Sequence, residues 1–443
     1  MATNKKEVHI VMLPWSAFGH MLPFLELAIA LANHGVRVSY ISTPRNISRL
    51  PKIPPNLSSL IQYVTLPMPM LPNDSNLPEG AEATIDVEFD EVPFLKRAYD
   101  LLYEPVKTFI STNLPTWIIS DFAAYWIPQI AEECRVQLMY FSIFNAATMC
   151  FLSQVAIGAA ISQPTVGVPD YVANQSKSVM YSDKATGITD AERVSRILKG
   201  CHAIGIRSCR EFEHDEIDLL QSLNNKLVVP VGMLPPAKVV HKGNQWLDRQ
   251  RNGSVIYVAF GSESKLTKHQ VDEIAYGLEL AQLPFIWALR KPTWAIDDSQ
   301  VLPPDLKNRI SDKGIVCIGW APQLEILAHP SVGGSLFHCG WASIIETMQH
   351  GHTPILLPLI HDQFINARVM VQKGFGIEVE RREDGSFTRN DIAHALRRSM
   401  VGDEAEKFKA RAKEAAGFFS NQKGVAERYV SDFVEFLKEH GKT

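Results

Sequence analysis

One segment of the chain, residues 320–363, concentrates side chains that could bind a phosphorylated ligand. It contains an apolar run at 334–337, then the residues HCGWAS, then apolar residues at helical spacing. A strand-to-helix turn of this kind directs backbone N–H groups and the positive end of a helix dipole at one point, where phosphate binds well. We therefore expect an anion site at residues 339–343, to which His338 and Ser343 add side-chain donors.

Other side chains of this segment suit the remaining parts of a nucleotide sugar. Trp320 follows a predicted strand, where its indole could stack on a base or belong to the core, although the proline and polar residues after it favour a loop. Glu346, about one helical turn beyond the anion site, could accept hydrogen bonds from ribose hydroxyls. Asp362 and Gln363 follow another predicted strand, where paired polar groups can bind sugar hydroxyls.

A histidine and an aspartate in the first half of the chain could form an acid–base pair. His20 closes the first predicted strand-to-helix loop, residues 14–20, and Asp121 follows an apolar run at 117–120. An imidazole can accept a proton from a hydroxyl near neutral pH, and a carboxylate on its other nitrogen fixes the tautomer. Taken alone, His20 could be an ordinary loop histidine and Asp121 could cap a helix.

The elements that must position these residues alternate between strand and helix patterns. Apolar runs indicate strands at 8–13, 36–41, 117–120 and 138–142 in the first half and at 254–260, 285–289, 315–319, 334–337 and 353–357 in the second. Helical periodicity appears at 21–34, 268–281 and 425–439. The alternation predicts two doubly wound α/β domains that face each other across a cleft, with ligands at the carboxyl ends of the strands.

Composition shifts suggest where the domains begin and end. Residues 232–245, GMLPPAKVVHKGNQ, have adjacent prolines, two glycines and little periodicity, as expected of a linker. We predict an N-terminal domain at 1–235, a linker at 236–250, a C-terminal domain at 251–424, and a last helix within 425–443 that packs back across the domains. Residues 71–95, with seven acidic and no basic side chains, are interpreted as a solvated loop.

The composition excludes several classes of protein. The 443 residues have a net charge of −4 and 46% hydrophobic residues, which disfavours disorder and a nucleic-acid partner. No apolar run approaches the roughly 20 residues of a membrane span. The six cysteines lack C-x-x-C spacing, and no signal peptide is recognisable, so we expect a cytoplasmic monomer with reduced thiols. The spacing of His350, His352 and His361 does not match a zinc motif, and no metal is expected.

The WAPQ, HCGW and DQ elements of residues 320–363 resemble the signature of plant UDP-dependent glycosyltransferases that act on small molecules, glycosyltransferase family 1. The resemblance extends over essentially the whole chain and implies the GT-B fold, two Rossmann-like domains with the donor bound mainly by the second. The roles it implies are uracil stacking by Trp320, base and ribose contacts by Ala321 and Gln323, diphosphate contacts by His338, Ser343 and Ser262, a ribose contact by Glu346, and sugar contacts by Trp341, Asp362 and Gln363. Ala342 stands where the family usually has asparagine, so one donor to the phosphates or the sugar is missing.

The same resemblance implies roles in the first half of the chain. The pair Gly19-His20 matches the position of the family's general base, and Asp121 matches the carboxylate that orients it. Gly19 and Asn145 are expected to contact the acceptor. The implied reaction is a direct displacement with inversion of configuration. Since the chain has no D-x-D motif, we expect transfer without a metal or any other cofactor, with the helix start and His338 stabilising the leaving UDP.

Three further segments, PWSAFGHMLPFLELA, YISTPRNISRLPK and ISDFAAYW, resemble the branch of this family that extends sugars already attached to flavonoids, saponins or diterpenoids. The expected reaction is therefore transfer of a sugar from a UDP-sugar to the sugar of a small-molecule glycoside. The Asp-Gln ending of the signature favours glucose, while rhamnose or xylose as donor and an aglycone as acceptor remain alternatives. From other classes, a UDP-sugar epimerase and a non-catalytic UDP-sugar-binding protein also remain open.

Overall fold

The computed structural model describes residues 8–72, 76–158, 167, 170–182, 185–237, 239–240, 243–261, 264–360, 362–382, 384–420 and 424–441. The chain forms two compact units, one of residues 1–234 together with 424–443 and the other of residues 235–423. Both are built on parallel sheets, as the strand patterns predict. Among the described residues, no helix has both the length and the apolar character needed to cross a bilayer.

The first unit has a seven-stranded sheet in the order β3-β2-β1-β4-β5-β6-β7. Its strands are β1 His9–Leu13, β2 Arg37–Ser42, β3 Ile61–Thr65, β4 Trp117–Ser120, β5 Gln137–Ser142, β6 Ala203–Ile206 and β7 Leu227–Pro230. Its helices are α1 Phe18–Asn33, α2 Pro44–Arg49, α3 Val92–Asp100, α4 Tyr103–Asn113, α5 Ile127–Glu133, α6 Ala146–Ala156, α7 Asp170–Tyr181, α8 Asp190–Gly200 and α9 Arg210–Asn224, with 3-10 turns at Pro55–Leu57 and Thr84–Asp86.

The second unit has a six-stranded sheet in the order β10-β9-β8-β11-β12-β13. Its strands are β8 Val255–Ala259, β9 Phe285–Leu289, β10 Gly314–Ile318, β11 Val332–Phe337, β12 Thr353–Leu356 and β13 Ile377–Glu378. Its helices are α10 Lys268–Ala281, α11 Leu306–Arg309, α12 Gln323–Leu327, α13 Trp341–Gln349, α14 Gln363–Gln372, α15 Arg389–Met400 and α16 Asp403–Phe419, with 3-10 turns at Leu247–Arg249 and Asp298–Gln300.

In each sheet the strand order reverses at one point, which makes both units doubly wound. The reversal lies between β1 and β4 in the first unit and between β8 and β11 in the second. The central strands are apolar along their length, and β1 and β8 are buried at every position. At such a reversal the connections that follow the two neighbouring strands run in opposite directions. A crevice therefore opens between them at the carboxyl ends of the strands.

The last helix, α17 Val425–His440, returns to the first unit. Its apolar face places Val430, Phe433 and Leu437 in the same core as β1 and β4. The indole N–H of Trp117 in β4 donates to the carbonyl oxygen of Leu437 at 2.9 Å. The helix therefore completes the core of the first unit with residues far away in sequence.

The end of the predicted linker is packed against the second unit. Leu247 is buried in a cluster with Val255 and Tyr257 of β8. The side chain of Asn244 accepts from the N–H groups of Trp246 and Leu247, which begins the short 3-10 turn there. This stretch has too few apolar residues for periodicity to reveal the turn.

The interpretation of residues 71–95 as a solvated loop is wrong for most of the part that the structure describes. The carboxylate of Asp86 accepts two hydrogen bonds from the guanidinium of Arg49, at 3.0 and 2.7 Å. The N–H of Thr84 donates to Ser16 at 3.0 Å, and α3 already begins at Val92. The charge of Asp86 is paired with an arginine of α2, which lies outside the segment and so did not enter the prediction.

Candidate active site

Candidate residues of both units follow central strands at the reversal of strand order, whereas Trp320 and Gln323 follow the edge strand β10 and Asp362 follows β12. In the first unit, His20 lies in the first turn of α1 after β1, and Asp121 follows β4. In the second, Gly261 follows β8 and His338 follows β11. The sequence predictions therefore lie where open α/β sheets bind their ligands.

The pairing of β1 with β4 brings His20 and Asp121 together. Leu13 and Ser120, the last residues of the two strands, are in register, and the N–H of Asp121 donates to Leu13 at 3.1 Å. Nδ1 of His20 then lies 2.7 Å from Oδ2 of Asp121. With Nδ1 as donor, Nε2 is the ring nitrogen that can accept a proton.

The backbone holds the Asp121 carboxylate in this orientation. Oδ2 also accepts from the N–H of Trp15 at 3.1 Å, and Oδ1 accepts from the N–H of Phe122 at 2.7 Å. The side chain is only 2% exposed. The next helix, α5, begins at Ile127, so the alternative of Asp121 as a helix N-cap is excluded.

Two aromatic rings that sequence reasoning missed flank His20. The ring of Phe122 lies 5.7 Å from the imidazole, and that of Phe144 lies 5.8 Å from it in an edge-on arrangement. Each phenylalanine stands two residues beyond the end of a strand, β4 or β5. This position, at the carboxyl edge of the predicted sheet, is the sequence feature from which the two phenylalanines could have been assigned to the site.

The two predicted acceptor residues differ in their surroundings. Gly19 is exposed, and no other part of the described chain lies within 4 Å of the position that a Cβ would occupy. Asn145 has no exposed surface, and its side chain accepts from the N–H of Thr148 at 2.8 Å as the N-cap of α6. This geometry gives Asn145 a helix-capping role, and any contact with a ligand stays a prediction.

The predicted anion site is the start of α13. Gly340 is the N-cap residue of this helix and, as a glycine, has no side chain with which to cap it. The imidazole of His338 lies so close to two glycines that a side chain would not fit at either position. A Cβ would stand 2.7 Å from the ring at Gly261 and 2.8 Å from it at Gly340. Burial lowers the pKa of His338 to about 4. At neutral pH the ring is therefore uncharged and has one N–H to donate.

The residues just inside α13 share the first turn of the helix. The indole of Trp341 is buried and packs edge-on against Phe419, with ring centroids 6.2 Å apart. Because the side chain is occupied in this way, the backbone of Trp341 is its part at the helix start. Ala342 and Ser343 are half-buried. Ser262, the remaining predicted diphosphate contact, lies outside the described residues.

The predicted base and ribose contacts form a connected group. Trp320 is 86% exposed, which excludes the alternative that it belongs to the core. The amide nitrogen of Gln323 donates to the carboxylate of Glu346, and the hydroxyl of Tyr257 donates to the amide oxygen of Gln323 at 3.0 Å. Ala321 lies half-buried beside this group. The Glu346 carboxylate is thus held by Gln323, and Trp320 offers an exposed aromatic face.

Two of the three predicted sugar contacts, Asp362 and Gln363, lie at the start of α14, whereas the third, Trp341, begins α13. The amide oxygen of Gln363 accepts from the N–H groups of Leu359 and Ile360, at 2.9 and 3.0 Å, and shapes the preceding loop. Asp362 is the N-cap residue of α14, and its Oδ2 accepts from Asn366 at 2.7 Å. Asn366 lies just beyond the segment 320–363 and was missed by the sequence analysis.

The part of the chain that the structure describes contains no group of three or more His, Cys, Asp or Glu side chains arranged to hold a metal ion. The rings of His350 and His352 stack with centroids 5.5 Å apart. Burial lowers the pKa of His352 to about 3. His361 lies outside the described residues.

Known proteins resemble this chain over its whole length. The sequence model of the family described as UDP-glucoronosyl and UDP-glucosyl transferase matches residues 236–411. UDP-glycosyltransferase 91C1 of Arabidopsis thaliana is 40% identical, with 100% of this chain and 99% of the relative covered. Soyasaponin III rhamnosyltransferase of Glycine max is 35% identical, with 99% and 97% covered.

A solved structure agrees with the fold. The crystal structure of Glycyrrhiza uralensis UGT73P12 complexed with glycyrrhetinic acid 3-O-monoglucuronide matches with a TM-score of 0.79 at 23% identity, over 98% of this chain and 96% of that one. This likeness confirms the GT-B fold. Together with the identity of the full-length relatives, it shows that the chain is an enzyme of the plant UDP-dependent glycosyltransferases, in the branch of the glycoside-extending glucosyl- and rhamnosyltransferases.

Proposed function

We propose that this enzyme transfers glucose from UDP-glucose, with inversion, to a hydroxyl on the sugar of a plant glycoside, and that His20 is the general base. The observation that carries the proposal is the 2.7 Å contact between His20 and Asp121, whose carboxylate is fixed by two backbone N–H groups. A carboxylate held in this way orients the imidazole and stabilises its protonated form, as in the hydrolase triads.

The proposed reaction follows from this geometry. Nδ1–H of His20 donates to Asp121, and Nε2 accepts the proton of the acceptor hydroxyl as its oxygen attacks C1 of the sugar. The bond from C1 to the diphosphate oxygen breaks as the new glycosidic bond forms, so the configuration at C1 inverts. The products are the extended glycoside and UDP, and the proton on His20 passes to solvent. The rings of Phe122 and Phe144 supply an apolar surface beside the base.

The second unit supplies the donor contacts in this proposal. Uracil stacks on the exposed indole of Trp320, and the pair formed by Gln323 and Glu346 binds the ribose. His338, Ser343 and the first N–H groups of α13 receive the diphosphate and stabilise the charge that develops on it. Asp362 and Gln363 bind the hydroxyls of the sugar. Since these donors are already aimed at the leaving group, the proposal requires no metal, and activity should persist in EDTA.

The test of the base is a His20→Ala variant with His34→Ala as its matched control. His34 follows the same helix, α1, and contacts Glu427 at 3.1 Å on the surface. We expect His20→Ala to lose transfer by at least about a thousandfold and to bind UDP as the wild type does, because base and donor site lie on different units. Full transfer by His20→Ala would overturn the assignment.

Rhamnose is a second candidate for the sugar, because a relative that is 35% identical over nearly the whole chain is named a soyasaponin III rhamnosyltransferase. A mass-spectrometric screen decides between the two. UDP-glucose, UDP-rhamnose and UDP-xylose are each combined with aglycones and with their monoglucosides. The proposal expects a mass gain of one hexose on the monoglucosides. A deoxyhexose gain would select rhamnose, and products on aglycones alone would reject the glycoside acceptor.

A further inference from the structure

We propose that Asn366 is a positioning residue that joins the sugar-binding Asp362 to the diphosphate-binding turn at Cys339, and so controls how tightly the donor's sugar is held. Asn366 lies on the second turn of α14 and has no exposed surface. Its side-chain nitrogen donates to Oδ2 of Asp362 at 2.7 Å and to the carbonyl oxygen of Cys339 at 2.9 Å. The inference rests on the proposed role of Asp362 as a sugar contact.

The chemistry of this position requires an amide. One NH₂ group supplies two donors, and both acceptors here are oxygens, one of them on a carboxylate. Hydrogen bonds to charged groups are stronger than those between neutral groups. A carboxylate at the same place would face two acceptors with no hydrogen to donate, and an alanine would leave both without this partner.

The turn at Cys339 gains from this contact because its backbone is strained. Cys339 has a φ of +66°, a left-handed conformation that is costly for a residue with a Cβ. The residue is fully buried between His338 and Gly340, the two residues at the start of the anion site. The hydrogen bond from Asn366 holds the carbonyl group of this turn from a residue 27 positions later in the chain.

Asp362 and the turn would contact adjacent parts of one ligand, the sugar and the diphosphate. The position of Asp362 relative to the turn therefore decides whether the ligand can make the sugar contact and the diphosphate contact at the same time. UDP alone lacks the sugar that is transferred, so its binding should depend on the turn but not on the alignment of Asp362. A residue that aligns the two should consequently affect UDP-sugar more than UDP, whereas a residue that only stabilises the fold should affect both alike.

Calorimetric titration of Asn366→Ala with UDP and with UDP-glucose, without acceptor, tests this inference. We expect the affinity for UDP-glucose to fall about tenfold to hundredfold, the effect of losing a hydrogen bond to a charged group, and that for UDP to fall at most about threefold. Asn366→Asp, which keeps the size and adds a charge beside Asp362, should bind UDP-glucose more weakly than Asn366→Ala. Asn308→Ala, exposed on α11, is the asparagine control and should change neither affinity.

A double variant shows whether Asn366 acts through Asp362. If it does, adding Asn366→Ala to Asp362→Ala should reduce UDP-glucose affinity by less than about twofold more. Equal losses for UDP and UDP-glucose, unchanged affinities, or fully additive effects would each overturn the inference. Because these titrations need no catalysis, they are independent of His20. An Asp362→Ala variant with normal UDP-glucose affinity would remove the sugar contact of the proposed function, and this inference with it.

Discussion

The two units place their candidate residues at the same point of a doubly wound sheet but assemble them over different distances in sequence. His20 and Asp121 are 101 residues apart and meet because β1 and β4 are neighbours. In the second unit, Gln323 and Glu346 are 23 residues apart, and Asp362 and Asn366 are four apart. The first site depends on the order of strands, and the second largely on one continuous segment.

This difference predicts different responses to substitution. The candidate base has a single carboxylate partner, which is itself held by the backbone, so loss of either residue should remove one step of the chemistry. The donor site spreads its proposed contacts over a stacking surface, a helix start and two polar loops. The loss of one donor contact should therefore weaken binding in a graded way, and four experiments can test or sharpen this contrast.

The largest effect is expected for Asp121→Asn. The amide can present an N–H to Nδ1 of His20, which favours the wrong tautomer, and it cannot stabilise the imidazolium as a carboxylate does. We expect kcat to fall about a thousandfold to ten-thousandfold in steady-state assays, with UDP affinity unchanged. Asp248→Asn is the control, since Asp248 contacts His329 at 3.1 Å in the second unit. A loss below tenfold would show that the pair is not catalytic.

A smaller, graded effect is expected for Trp320→Ala on the donor side. Loss of base stacking on an aromatic ring costs about 1–3 kcal/mol, which corresponds to roughly 5- to 150-fold in UDP affinity. Turnover at saturating UDP-sugar should change little, because the indole is not placed at the reacting atoms. Ile296→Ala, another highly exposed apolar residue, should leave the titration unchanged. A fall in kcat without a change in affinity would contradict the stacking role.

Acid should separate the stabilities of the two units. Burial lowers the pKa of His352 to about 3 and of His338 to about 4, both in the second unit. Stability from these groups is complete above pH 6.5, their unfolded value, and falls by about 1.4 kcal/mol per pH unit for each histidine as the pH drops toward 4. In the first unit burial lowers the pKa of His9 to about 4 as well, but it raises those of Glu26, Asp100 and Glu213, whose protonation favours the folded state. In the second unit burial raises the pKa of Glu378 in the same way.

Hydrogen exchange followed by mass spectrometry between pH 7 and pH 4.5 reports on both units separately. We expect protection of the second unit to fall more steeply than that of the first. His352→Gln should reduce the steepness of the decline in the second unit by about 1.4 kcal/mol per pH unit. An equal fall of protection in both units would show that the buried carboxyl groups do not offset the stability that is lost through the histidines.

The smallest effect is expected for Ala342→Asn. This substitution restores the residue that the family usually has at the start of α13 and adds one side-chain donor at the proposed diphosphate site. One additional hydrogen bond contributes about 0.5–1.5 kcal/mol, so UDP-glucose affinity should rise about twofold to tenfold. Ala410→Asn, exposed on α16, provides the comparison for adding an amide outside that turn. A weaker affinity of Ala342→Asn would mean that the turn has adapted to alanine.

The strands were predictable because a strand buried on both faces must be apolar along its length. The runs at 8–13 and 285–289 correspond to β1 and β9 within one residue. The prediction of a solvated loop failed around Asp86 because this carboxylate is paired from outside the segment, by Arg49 of α2. Phe122 and Phe144 were missed for a related reason, since their meeting at His20 depends on the adjacency of β1, β4 and β5.

The sequence by itself determined the local chemistry of residues 320–363, because a strand, a glycine turn and a helix start are specified by neighbouring residues. It also determined the two parallel-sheet domains through the alternation of apolar strands and helices. The pairing of His20 with Asp121 followed from the sequence only through a family resemblance, and the tertiary structure supplied its geometry. Only the tertiary structure decided that Asn366 also reaches the carbonyl group of Cys339. Both contacts depend on strand order and packing, because 101 and 27 residues of chain separate the partners.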